Sequence, residues 1–509
     1  MKPTNCWILV LLAVSLWTVP TRAENITLTV IHTNDIHGWV MPRPAAFQEA
    51  GSKRLIGGMP AFSAWLKKTP SPRLVVDVGD WFQGTPEGAI DEGRALMELF
   101  NVAGYDAFTV GNHDFDYGEK NLVTLAHALR APVLCANIYR ENDGKRHPDF
   151  KPWIIKDVVG VKVGLFGLTT SRMKGLAFPE NIEGLRFRRE IDEAKDSVAA
   201  LRKEGATVII ALSHMGFARP DEPPFEDDQA LAAQVEGIDL IVGGHSHTPL
   251  KNPVREAKHG TLIVQAGSWL TRAGEVTLEI DPKTKRVVKS SGRLVDLWLN
   301  ETGEDPATAQ TLAKLTDKVR PIYDVVLATA AMKLKRSAES ESNLGDWMTD
   351  CELDWAGADV AIQNGGGIRD DIDAGPVTKR AIFNLMPFDN RIAKLTLKGK
   401  DLRRALDHGV GMGRIVQLSG AIVSYKRKAP EGERIVSITV GGKPLEDEAV
   451  YKVATLDFLA TGGDDYASFG SALDKDITKA LLRDVLCGCA RKNGLITAPS
   501  AGRLLPVGD

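Results

Sequence analysis

Five short segments collect the residue types that hold metal ions. They are Thr33-Asn34-Asp35-Ile36-His37-Gly38, Val78-Gly79-Asp80, Val110-Gly111-Asn112-His113-Asp114, Leu212-Ser213-His214-Met215-Gly216 and Gly243-Gly244-His245-Ser246-His247. Each leaves the end of an apolar run and closes in a polar, glycine-punctuated turn. Asp35 and His37 are two residues apart, so in extended backbone they project to the same side, and His245 and His247 repeat that spacing. Asp80 and Asn112 add oxygen ligands, and His214 adds an imidazole. Mixed nitrogen and oxygen donors suit zinc, manganese, iron or cobalt better than calcium. Seven candidate ligands exceed what one tetrahedral ion takes. They fit two divalent ions about 3.5–4 Å apart that share a bridging carboxylate. Taken singly, an Asp-x-His is an ordinary capped turn and a Gly-His-Ser-His a surface loop. Together they hold five of the chain's ten histidines, which random scatter rarely does.

Such turns need strands to converge them. Residues 26–32, 74–78, 107–110, 161–166, 208–212, 240–242 and 261–265 read as strands, with helices at 60–67, 93–103 and 190–203 between them. Alternation of this kind predicts an α/β layered domain, and ligands gather at the carboxyl ends of its strands. Residues 302–329 are polar and lack strand signals, and 307–319 have the periodicity of a linker helix. Strands at 434–440 and 450–456, a turn at Gly441-Gly442 and a helix at 401–408 predict a second αβ domain from about residue 330. The expected division is 24–300, a linker at 301–329, and 330–509.

That second half has its own signals. Gln363-Asn364-Gly365-Gly366-Gly367-Ile368-Arg369 is a glycine turn ending in a guanidinium, a natural clamp for phosphate or carboxylate. Leu385-Met386-Pro387-Phe388-Asp389-Asn390 sets an aromatic beside an amide, and Asp457-Phe458 precedes Gly462-Gly463-Asp464. Two rings can sandwich a nucleobase, and Asp464 can accept from ribose hydroxyls.

The metal segments resemble the calcineurin-type metallophosphoesterase signature, and with the downstream motifs the chain resembles the 5′-nucleotidase family, whose bacterial members include periplasmic UDP-sugar hydrolase/5′-nucleotidases. The similarity spans nearly all of the chain after its N-terminal segment. It implies a four-layer αββα catalytic sandwich followed by an α+β substrate-binding domain. It places one metal on Asp35, His37, Asp80 and His247, and the second on Asp80, Asn112, His214 and His245. Some relatives have Gln or Asn where this chain has His247, a change expected to alter metal preference. The resemblance makes His113 and Asp116 the catalytic pair. It sets Phe388 and Phe458 on the base, Asn390 and Asp464 on base or ribose, and Arg369 with Asn364 near the phosphate. Asn343-Leu344-Gly345-Asp346 matches a further family segment. Several relatives carry an arginine three residues before that Asn; here Ser340 stands there, and Arg336 is the nearest alternative.

In such a site a metal-activated water attacks phosphorus opposite the leaving oxygen, and no protein nucleophile is required. Rival readings keep the scaffold and change the substrate: a 2′,3′-cyclic-nucleotide phosphodiesterase with 3′-nucleotidase activity, or a thiosulfohydrolase. A nucleotide-binding protein without hydrolysis is the reading from another class. It needs the aromatic motifs and not a full ligand set.

The 509 residues suit two domains of roughly 200–300 residues. A net charge of -3 offers no broad basic field for a nucleic-acid polymer, so a small phosphorylated ligand is expected. Lys2, an apolar run at 7–17 and Thr21-Arg22-Ala23 read as a Sec-type signal peptide cut after Ala23. Export to the periplasm or outside the cell follows, with no membrane span after removal and the oligomeric state left open. Four cysteines then remain, Cys135, Cys351, Cys487 and Cys489, and they admit three pairings.

Overall fold

The computed structural model describes residues 24–45, 52–218 and 225–508. The signal-peptide reading of residues 1–23 lies outside the described residues. Five strands carry the metal-type turns: β1 (Ile26–Thr33), β2 (Arg73–Asp77), β3 (Ala107–Thr109), β4 (Val208–His214) and β5 (Leu240–Gly243). They divide between two six-stranded sheets. In the first, β1, β2 and β3 run parallel in that order, and Arg272–Ile280 pairs antiparallel on the other side of β1. In the second, β4 lies parallel between Val161–Thr169 and β5.

The sheets stack because every site strand is apolar on both faces. Val30, Val76, Ile210, Leu212 and Val242 fill the core between them. Their neighbours Ile31 and Val75 turn outward onto helices Met59–Lys68 and Arg94–Ala103. Ile209, Ala211 and Ile241 turn outward onto Glu190–Lys203 and Asp228–Gln234. The result is helix, sheet, sheet, helix, the expected four-layer αββα sandwich.

Helix Pro306–Tyr323 links the halves. Asp305 caps its start, accepting from Thr308 N at 3.1 Å, and pairs with Lys67 of the first domain. Leu312 is buried in that domain's core. The stretch 302–329, expected to lack strands, instead closes with strand Val326–Ala330. That strand pairs with Gly375–Thr378 and Leu495–Ile496. Its signal is faint because it is five residues long, with Val326 and Thr329 exposed.

The C-terminal half is α+β. A five-stranded sheet centres on β6 (Val360–Gln363), β7 (Arg391–Lys398) and β8 (Val450–Leu456), with β8 between the other two. Among the described residues no helix is long and apolar enough to cross a membrane.

Cys351 and Cys489 form a disulfide across 138 residues, joining helices Asn343–Ala356 and Leu482–Asn493. Cys135 and Cys487 are buried free thiols. A loop this long restricts the unfolded chain strongly, so Cys351→Ser should lose about 2–4 kcal/mol of stability under oxidising conditions. Urea unfolding with and without reductant tests this. Coincident wild-type and variant midpoints in the oxidised protein would show that the bridge contributes nothing.

Candidate metal and phosphate site

The ligand-type residues sit in backbone that their residue types rarely adopt. Asp35 (φ 50°), His37 (φ 50°), Asp80 (φ 57°), His245 (φ 70°) and His247 (φ 56°) are all left-handed. Cross-turn hydrogen bonds hold them so. Asp35 N donates to Gly79 O at 3.0 Å, and His37 N to Asp80 O at 2.8 Å. Asn34 donates to Asp35 Oδ2 at 2.6 Å and to Gly267 O at 2.5 Å, and accepts from Ala266 N at 2.8 Å. Asp114 gathers three backbone donors, Asp80 N, Trp81 N and Gly111 N, at 2.8–2.9 Å. Gly111 is required, since a Cβ there would fall 2.2 Å from Asp80 Oδ1.

Asp35, His37, Asp80 and His247 each offer one ligand atom, and these atoms lie within 4.8 Å of one another. His37 Nδ1 lies 2.8 Å from the Gln83 carbonyl, to which it donates, so Nε2 keeps its lone pair. That Nε2 is 3.0 Å from His247 Nε2, and His247 Nε2 is 3.3 Å from Asp35 Oδ1. His214 is arranged likewise. Its Nδ1 donates to Val78 O at 2.6 Å, and its buried Nε2 has no hydrogen-bond partner. Asp80 Oδ2 stands between the two rings, 3.6 Å from His37 Nε2 and 3.3 Å from His214 Nε2. His245 Nδ1 meets Asn112 Oδ1 at 2.8 Å beside His214.

All seven sequence-predicted ligands therefore converge, with Asp80 in the shared position. The unpartnered His214 Nε2 and the lone pair left on His37 Nε2, set around buried carboxylates, fit divalent cations. The electrostatics agree. Burial first, then neighbouring positive charge, holds His37 and His247 well below the usual imidazole range and His245 at about 3, so these rings are neutral donors. Against the cost of burial, the Asp80 carboxylate draws the His214 ring up to about 10.

His113 Nδ1 is 3.0 Å from Asp116 Oδ2, and His113 N donates to Asp80 Oδ1 at 2.8 Å. Burial depresses this imidazole, but Asp116 and Asp80 more than offset that and raise it. The second domain reaches this point. Phe388 stacks on His113, with centroids 5.2 Å apart and planes at 24°. Arg369 Nη2 comes to 3.4 Å of His37 Nε2. Gln83 Nε2 donates to Pro387 O at 2.9 Å. Phe458 meets Phe178 edge-on at 5.8 Å. Asn364 Nδ2 donates to Asp464 Oδ2 at 2.6 Å, and Asn390 Nδ2 to Asp457 Oδ1 at 3.4 Å.

Sequence reasoning missed several neighbours. Asn34 and Asp114 lie inside the quoted motifs and buttress the ligands. Gln83, Trp269 and Arg414 had no motif to mark them. Trp269, itself left-handed at φ 63°, packs 6.4 Å from the His247 ring. Ser340 is exposed, and its hydroxyl bonds locally, to Ser337 Oγ and Glu341 O. Arg336 donates to Ile368 O at 3.0 Å, and its guanidinium lies 5.4 Å from the Trp269 ring.

Comparison with known proteins identifies the family. Residues 28–249 match the calcineurin-like phosphoesterase family, and residues 323–471 match the 5′-nucleotidase C-terminal domain. Protein UshA of Yersinia enterocolitica is 30% identical over 503 residues, covering 89% of this chain and 90% of its own. A 5′-nucleotidase of Vibrio cholerae is 30% identical, covering 86% and 85%. The crystal structure of a 5′-nucleotidase precursor from Thermus thermophilus superposes with a TM-score of 0.86 at 28% identity, over 95% of this chain and all of that one. The thiohydrolase SoxB from Thermus thermophilus shares the fold at TM-score 0.79 and 18% identity, over 95% and 97%. The chain belongs to the 5′-nucleotidase family and is a metal-dependent phosphoester hydrolase.

Proposed function

We propose that this protein is an exported 5′-nucleotidase that removes phosphate from nucleotides at a two-metal centre. The observation that carries the reading is the meeting of Phe388 with His113 and of Arg369 with His37. A base-stacking platform thus stands against the catalytic imidazole, and a phosphate-type cation against a metal-ligand ring. Asp35, His37, Asp80 and His247 would hold one ion, and Asp80, Asn112, His214 and His245 the other. Two such ions supply Lewis acidity and an activated water. The chain's own residues do the rest. Arg369 draws the phosphoryl group toward the ligands. His113, its Nδ1–H held by Asp116, turns Nε2 to the leaving oxygen and delivers a proton there. Phe388 and Phe458 grip the base, while Asn390 and Asp464 contact base or ribose. The basic, apolar and small-residue order of positions 1–23 supports export.

Phosphate release by the manganese- or zinc-loaded mature chain, with chelator controls, tests this across 5′-AMP, ATP, 2′,3′-cyclic AMP, a UDP-sugar and an aryl phosphate. Chelator-sensitive release from 5′-AMP is expected. Preference for the cyclic compound would replace the substrate assignment and keep the chemistry.

Phe388→Ala should raise KM for 5′-AMP by about 5- to 150-fold, from the loss of one stacking face. It should leave an aryl phosphate nearly unaffected. Equal losses on both would show that the ring only packs against His113.

A further inference from the structure

We infer that Arg414 completes the phosphate clamp, taking the place of the arginine absent at position 340, and biases the site toward dianionic phosphomonoesters over monoanionic diesters. This rests on the nucleotidase reading.

Arg414 follows Gly413 in a loop beside the segment that carries Ser340. Ile415 N donates to Ala338 O at 2.9 Å, and Gln417 Nε2 donates to Ser340 O at 3.1 Å. An arginine side chain starting at 414 therefore enters from the same wall as one starting at 340. Its direction is marked by Gly366. A Cβ built there would lie 3.8 Å from Asn364 Nδ2, 3.9 Å from Asp464 Oδ2 and 4.0 Å from Arg414 Cδ. The stem of Arg414 thus passes over the open face of the glycine turn, next to two residues placed at the substrate. Its charge bears on Asp464, on His247 and on Arg369. It therefore stands within electrostatic reach of both the ribose-side carboxylate and the metal-ligand imidazole.

Arg336 acts on Arg369 as well, so three guanidinium groups bear on one buried region. Like charges crowded together favour a ligand carrying more than one negative charge. A phosphomonoester carries close to two at neutral pH, and a cyclic or aryl diester carries one.

The test compares kcat/KM on 5′-AMP and on bis(p-nitrophenyl) phosphate, together with the Ki of inorganic phosphate, in wild type, Arg414→Ala and Arg414→Ala/Ser340→Arg. Metal content and the circular dichroism spectrum establish that each variant is folded. We expect Arg414→Ala to lose about 10- to 100-fold on 5′-AMP, to raise the phosphate Ki in proportion, and to shift the monoester-to-diester ratio by at least about tenfold. The added Ser340→Arg should restore most of that ratio. Equal losses on both substrates with an unchanged Ki would overturn the inference, leaving Arg414 a structural residue. A double variant no better than the single one would overturn the exchange between positions 414 and 340. Wild type inactive on 5′-AMP would strike the nucleotidase reading itself, before any variant is compared.

Discussion

Asp80→Ala is expected to abolish phosphate release, with a loss above about a thousandfold, and to cut bound divalent metal from about two ions per chain to one or none. Asp80 is tied to both halves of the ligand set. Asp80 Oδ2 stands between His37 and His214, while Oδ1 accepts from His113 N. Despite burial, the positive charge of His214 and His113 holds the carboxyl well below its usual range, so it is anionic throughout the neutral region. Removing it leaves His37 Nε2 and His214 Nε2 without the oxygen they share, and leaves the backbone of His113 untethered. Elemental analysis of the purified variant alongside kcat separates the two parts of the expectation. Wild-type kcat with full metal content would show that Asp80 is not shared, and the two-metal reading would fall. A variant that keeps one ion and appreciable activity would indicate that a single ion suffices.

The catalytic domain was readable from the sequence because its strands are buried on both faces. Val30 and Ile31, or Ile209 and Ile210, point to opposite layers, so a strand appears as a continuous apolar run with its polar turn at the end. The ligand types were visible for the same reason: a charged turn after such a run is conspicuous. The left-handed backbone at Asp35, His37, Asp80, His245 and His247 was not visible. Nothing in Asp or His requires it; cross-turn hydrogen bonds, among them those made by Asn34 and Asp114, enforce it. Strand Val326–Ala330 escaped because a short, half-exposed strand looks like a linker, its pairing partners lying in distant sequence. The Cys351–Cys489 pairing depends on where two helices dock, which spacing does not encode. Arg414 escaped because its meaning lies in its position beside Ser340 and Gly366, not in any motif.

The second large effect is expected at His113, and it should depend on the leaving group. His113→Ala should lower kcat on 5′-AMP by about 10²- to 10⁴-fold, the usual range for loss of a positioned proton donor. A nucleoside alkoxide needs that proton as the ester bond breaks, whereas p-nitrophenolate leaves without it. The same variant should therefore lose far less on p-nitrophenyl phosphate. Equal losses on both would assign His113 to phosphoryl charge stabilisation instead. Asp116 acts through this ring. At 3.0 Å from Nδ1 its carboxylate fixes the tautomer and favours the protonated form. Asp116→Asn should lower kcat on 5′-AMP by about 10- to 100-fold and leave metal content unchanged. The donor must be protonated to act, so activity falls as pH rises through its pKa. Removing the carboxylate lowers that pKa, and the alkaline limb of the kcat profile should move to lower pH. A limb that stays in place, or a loss of bound metal, would mean that Asp116 braces the fold rather than the proton donor.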